Sequence, residues 1–241
     1  MSDSQDTIRI RSADGEMTAF VARPHSNAAA PAVIVAQEAF GVNQYIQEVT
    51  RSVAAAGYVA IAPDLLHRFE QHTVPYEEVA TAKEMLAKLD DESVLGDVTA
   101  AVKAARDLDG VDGSRVGIIG FCFGGKVAYL AATAGLGLRA AVSFYGGGIA
   151  APDPGAPVAR TASIDCPILL VFGEDDPVIS QEQVETIRKE LEAARKDFRI
   201  EVFEGAGHGF ACDARPATFH PDAAAAAWRI TWGFLQDHLQ G

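Results

Sequence analysis

Positive charge is scarce in this chain: Lys and Arg total 20 of its 241 residues against 33 Asp and Glu, leaving a formal net charge of −13. That surplus repels phosphate backbones and anionic lipid surfaces, so neither nucleic acid nor a membrane is an expected partner. No apolar run approaches the roughly 20 residues of a membrane-spanning helix. Residues 1–6 are polar and acidic, lacking the basic start and apolar core of a secretory signal, and we expect a cytoplasmic protein. Cysteine is limited to Cys122, Cys166 and Cys212. An odd number at wide spacing fits neither a disulfide framework nor paired zinc ligands, and free thiols in a reducing compartment suit it better. The six histidines show no metal-ligand spacing either, so no metal or other cofactor is expected.

What the chain has in quantity is apolar residues, 49% of the total, enough at this length for one buried core spanning residues 1–241. Short β-branched runs recur at 7–10, 18–22, 32–36, 59–62, 116–121, 140–145, 168–172 and 198–203, eight strand candidates. Unbroken apolar runs such as 32–36 and 168–172 belong to strands covered on both faces, as in parallel sheets. The first two runs alternate more and read as an edge hairpin. Helical stretches at 44–56, 76–89, 93–108, 124–134, 180–194 and 222–239 alternate with the later strands. This order predicts an α/β fold: an eight-stranded, mostly parallel sheet with helices on both faces. Ser180 with Gln183 forms a candidate capping box, and Asp222 a candidate N-cap for the last helix. In such sheets ligands bind beyond the carboxyl ends of the strands.

At one of those ends stands Gly120-Phe121-Cys122-Phe123-Gly124. A buried strand running through G-x-C-x-G into a helix is a nucleophile elbow with sulfur in place of oxygen, and the following helix N-terminus favours a thiolate. The same stretch, Gly120 to Lys126, also reads as the start of a phosphate-binding loop. Val127 stands where that loop needs a hydroxyl for Mg²⁺, and the acidic chain does nothing to attract nucleotide. Downstream come an acid after a strand and a histidine after the last strand, the nucleophile–acid–base order of α/β-hydrolases. Asp176, fixed by Pro177, is preferred over Asp175 as the acid that orients the imidazole. His208, in Gly205-Ala206-Gly207-His208-Gly209-Phe210, is the base candidate. His25, His67, His72, His220 and His238 read as surface or satisfied histidines.

Taken together, Gln37-Glu38-Ala39-Phe40-Gly41-Val42-Asn43, Gly120-Phe121-Cys122-Phe123-Gly124-Gly125 and Gly207-His208-Gly209-Phe210 resemble the dienelactone hydrolase family over almost the whole chain. The resemblance implies an α/β-hydrolase fold and a cysteine hydrolase of small esters or lactones. It further implies that Glu38 contacts the thiol and helps ionise it when substrate binds, and that the N–H of Ala39 joins that of Phe123 in an oxyanion hole. From its place at the end of a buried strand, Glu38 is expected to be half-buried with a raised pKa.

One departure concerns charge. Members that cleave dienelactone are known for arginines that hold the substrate carboxylate, whereas the corresponding stretches here read Glu77-Glu78-Val79-Ala80 and Phe210-Ala211-Cys212-Asp213. Arg215 or Arg68 is left to reach in from a loop, and Asp213 near the mouth would disfavour an anion. Neutral activated substrates, including thioesters and phosphotriesters, are the alternative within the enzyme reading. A non-catalytic binding protein of the same fold is the alternative outside it. The expected partner is a small ester or lactone, bound by a monomer or small homo-oligomer.

Overall fold

A computed structural model describes residues 5–26 and 28–241. Its central strands are the unbroken apolar runs. β3 (Ala30–Ala36), β4 (Val59–Pro63), β6 (Ala140–Phe144) and β7 (Ile168–Gly173) are buried at every position, and β5 (Val111–Phe121) is buried from Val116 onward. β1 (Gln5–Ser12) and β2 (Gly15–Ala22) form the expected antiparallel hairpin at one edge. β8 (Phe198–Phe203) closes the other edge and is only partly buried, as an edge strand covered on fewer sides must be.

The strand order is β1-β2-β4-β3-β5-β6-β7-β8. β2 runs antiparallel to β4, and every later pairing from β4 to β8 is parallel. Parallel pairing has one consequence for function. The chain leaves β3, β5, β7 and β8 at the same edge of the sheet, so residues that follow these strands converge although they lie far apart in sequence.

Helices cover both faces. α3 (Asp91–Asp107) and α4 (Phe123–Ala132) pack against each other over β3 and β5. On the opposite face α1 (Gln44–Ala55) lies over β2 and β4, and α6 (Pro221–Leu239) over β5, β6 and β7. α5 (Gln181–Ala193) begins with the expected capping box of Ser180 and Gln183.

Three expectations are corrected. The stretch 76–89 forms only the short helix α2 (Val79–Leu86): its N-cap Glu78 makes no side-chain cap bond, and Tyr76 stays outside it in a tertiary hydrogen bond. α3 starts earlier than position 93, at Asp91, since Asp90 accepts from the N–H of Ser93 at 2.8 Å. Asp222 does not cap α6. His220 does, accepting from Ala223 N–H at 3.3 Å, and Pro221 takes the first helical position, where a missing N–H costs nothing.

Candidate functional site

The turn from β5 into α4 is a single residue, Cys122, held at φ 54° and ψ −113°. A left-handed backbone at a non-glycine residue costs about 1–3 kcal/mol and persists only where the surroundings enforce it. They do so by close approach. A Cβ on Gly120 would lie 1.8 Å from the carbonyl oxygen of Gly124, and one on Gly124 would lie 2.1 Å from that of Ala36. Both positions are therefore restricted to glycine. Cys122 N–H donates to Phe144 at 3.0 Å, and its carbonyl accepts from Gly125 and Lys126, which starts α4 directly behind the sulfur.

The convergence foreseen from chain order is present. His208 Nε2 lies 3.1 Å from Cys122 Sγ, and His208 Nδ1 lies 2.8 Å from Asp176 Oδ2. Asp176 is buried, and its other oxygen accepts from the N–H groups of Val178 (2.7 Å) and Ile179 (3.2 Å), so the carboxylate cannot rotate without losing bonds. Asp175, by contrast, is exposed. Tyr145, at the end of β6, packs edge-on against the His208 ring with centroids 5.4 Å apart.

Burial of His208 opposes its charged form, but the hydrogen bonds to Asp176 and Cys122 outweigh it and raise its pKa to about 10. An unfolded imidazole titrates near 6.5, so folding takes up a proton between these values. The stabilisation is whole below pH ~6.5 and is lost as pH rises through about 10. Thermal melts of wild type and His208→Gln should therefore converge over that window, the gap narrowing by roughly 3 °C or more. A gap constant from pH 6 to 10 would show that the folded ring carries no extra proton.

Glu38 follows β3 at the same edge and is fully rather than half buried. Burial raises its pKa in the expected direction, opposed by the charge of Arg215 and a hydrogen bond from Tyr76. Its carboxylate accepts from Tyr76 Oη at 3.2 Å, while Oε1 is buried with no hydrogen-bond partner. The thiol's hydrogen-bond partner is His208, and Glu38 is bonded to Tyr76. Tyr76 carried no signal in the sequence. Cys212 is buried 3.4 Å from Tyr76 Oη, and burial pushes its pKa to about 12, as it does for Cys166. Neither has the setting of a reactive thiol.

Cys122, His208, Ala39 and Phe123 all face one cleft of about 750 Å³. Phe123 is the first residue of α4, so its N–H has no acceptor within the helix. Of the two loop arginines, Arg215 enters this cleft, its guanidinium 5.5 Å from the ring centroids of both Phe40 and Tyr76. Arg68 is engaged elsewhere, by Asp14, Asp97 and the carbonyl of Ser93. Asp213 borders a different groove, between α1 and α6, and so does not charge the mouth of the cleft as expected. Lys126 also lines the cleft, a role not anticipated for it, with its ammonium 2.6 Å from Asp91. Of the remaining histidines, His67 is held by Asp97, His72 by Asp64, and His220 combines its capping role with a place in the cleft wall. Among the described residues no group of His, Cys, Asp and Glu is placed to hold a metal, and no helix is long and apolar enough to cross a membrane.

Comparison with known proteins matches residues 17–239 to the dienelactone hydrolase family. A Synechocystis sp. protein named as a carboxymethylenebutenolidase is 35% identical over 240 residues, covering 97% of this chain and 96% of the relative. A Bradyrhizobium sp. protein named as a 2-oxo-3-(5-oxofuran-2-ylidene)propanoate lactonase is 34% identical, covering 99% and 96%. The crystal structure of a Klebsiella pneumoniae protein described as a dienelactone hydrolase superposes with a TM-score of 0.90 at 33% identity, covering 98% of this chain and 99% of the other.

Proposed function

Because the chain belongs to the dienelactone hydrolase family and is a hydrolase of that type, we propose that it cleaves small esters or lactones by acyl transfer to Cys122. The observation that carries this reading is the unbroken series of contacts from Sγ through the imidazole to Asp176, at 3.1 and 2.8 Å, opening onto a cleft. The raised pKa of His208, about 10, suits a ring that holds its proton beside the nucleophile and can later give it to the leaving group.

In this mechanism the thiolate attacks the carbonyl carbon and the π pair moves onto oxygen. That oxyanion is received by the N–H groups of Phe123 and Ala39, whose residues line the cleft beside Cys122. Collapse of the tetrahedral adduct expels the leaving oxygen, which takes its proton from Nε2 of His208 and leaves a thioester. The now neutral ring removes a proton from water as hydroxide adds to the thioester, and expulsion of the thiolate restores the starting pair. Asp176 accepts a hydrogen bond from Nδ1–H throughout, keeping Nε2 aimed at sulfur. Glu38, buried at the same edge with a raised pKa, is the second group that helps ionise the sulfur when substrate binds.

Uncharged substrates are favoured because two of the three Lys and Arg side chains in the cleft lining already act on a carboxylate of the protein, and the third, Lys83, is exposed to solvent. Lys126 pairs with Asp91, and the charge of Arg215 acts on Glu38. Free thiols at all three cysteines suit a reducing, cytoplasmic setting. Trapping the intermediate tests the mechanism: protein quenched in acid during p-nitrophenyl acetate turnover should carry one acetyl group, on the peptide containing Cys122. Turnover without that adduct, or with acetyl on another side chain, would overturn it.

A further inference from the structure

Three large apolar side chains are exposed among the described residues: Val79 at 40%, Val178 at 54% and Val202 at 38%. Val202 lies on the edge strand β8, whereas Val79 and Val178 both line the cleft that holds Cys122. Apolar surface gathered at one concave place and left wet marks a site for an apolar ligand. The two valines come from different elements. Val178 belongs to the loop after β7, next to Asp176, and Val79 opens α2.

α2 is unusual in this fold because it packs outside the main core. Ala82 and Met85 form a small separate cluster with Ala39, Phe40, Leu66 and Val74, against which Leu86 is partly buried. Positions 79, 82 and 86 fall three and four residues apart, so their side chains share one face, and all three line the cleft. Lys83, the one charged side chain that α2 adds to the lining, is exposed. A cleft of about 750 Å³ is also the size that holds a drug-sized molecule, with far more room than the reacting ester group needs.

Reaction geometry decides which part of the substrate meets which wall. In the mechanism above the leaving oxygen must face Nε2 of His208, which places the leaving group on the side of Pro177 and Val178. The acyl group then extends the opposite way, towards Ala39 and Phe40, residues that belong to the same small cluster as α2. We propose that the acyl part of the substrate is an uncharged apolar chain or ring of about six carbons, seated on Val79, Ala82 and Leu86. This inference rests on acyl transfer at Cys122 and names its substrate class. Val79 and Leu86 are the specificity-determining residues.

The experiment compares kcat/KM for p-nitrophenyl acetate, butyrate, hexanoate and octanoate with wild type, Val79→Asp and Leu86→Gln. Wild type should prefer hexanoate to acetate by about tenfold or more, a discounted share of what burying four methylenes yields. Each substitution should cut that ratio about fivefold. A flat series in wild type, or a ratio that neither substitution moves, overturns the proposal. A second arm needs no turnover. Hexanamide should protect Cys122 from iodoacetamide at concentrations about tenfold below acetamide, and equal protection by the two amides counts against the α2 seat. Failure of acetate hydrolysis itself would strike the Cys122 mechanism instead, leaving the protection arm to judge this inference.

Discussion

Cys122→Ala should lower kcat/KM for p-nitrophenyl acetate by about 10⁴-fold or more, leaving only what oriented binding and the oxyanion donors contribute. The loss is interpretable because the substitution disturbs little else. Alanine meets the same strain at φ 54° as cysteine does, and Gly120 and Gly124 keep the close approaches that enforce the turn. Labelling supplies an independent readout. Cys166 and Cys212 are buried with pKa values pushed to about 12, so iodoacetamide at pH 6 should modify wild type at one position and the variant at none. Turnover that survives in the variant would move the nucleophile elsewhere. Wild type that is inert to esters and labels no faster than free cysteine would support the non-catalytic binding protein.

Asp176→Asn should lower kcat by about 10³–10⁴-fold with little change in fold. The reason lies in the two backbone donors. Val178 and Ile179 N–H both point at Oδ1 of Asp176, so an asparagine will keep its carbonyl oxygen there and turn its NH₂ towards His208 Nδ1. Facing a donor, Nδ1 must become the acceptor, the ring proton moves to Nε2, and the nitrogen beside sulfur can no longer take a proton. The same change removes a hydrogen-bonded carboxylate that lifts the imidazole pKa, so the pH dependence of kcat should shift as well as its height. A kcat within tenfold of wild type, measured at saturating p-nitrophenyl acetate, would mean that Asp176 serves only to shape the turn.

Much of this arrangement is legible in the sequence, for reasons tied to particular residues. Unbroken runs such as 32–36 and 168–172 cannot alternate between core and solvent, so they announce strands covered on both faces. Gly120-Phe121-Cys122-Phe123-Gly124 announces a turn too tight for side chains, and a Cβ on Gly120 or Gly124 would indeed come within 1.8 or 2.1 Å of a carbonyl oxygen. His208 stands out among six histidines because glycines surround it after the last strand, and Asp176 because it is locked before Pro177.

Other features had no local trace. The pattern at 76–89 suits one long helix, but Tyr76 donates instead to the buried carboxylate of Glu38 in the loop after β3, and α2 spans only Val79–Leu86. Arg215 and Asp213 are two residues apart in the same loop, yet one enters the cleft and the other borders a separate groove. Lys126 looks like part of a phosphate loop in sequence and is paired with Asp91 across the cleft wall.

From the order of residues alone came the strands, the elbow and the chemical types that gather at one sheet edge, since periodicity, tight turns and chain order are short-range or topological properties. Which groups touch was decided by packing: the thiol on His208, the carboxyl of Glu38 under Tyr76, and the apolar face of α2 turned to the cleft. Burial and hydrogen bonding depend on what the rest of the chain brings within a few ångströms, and no stretch of sequence carries that information by itself.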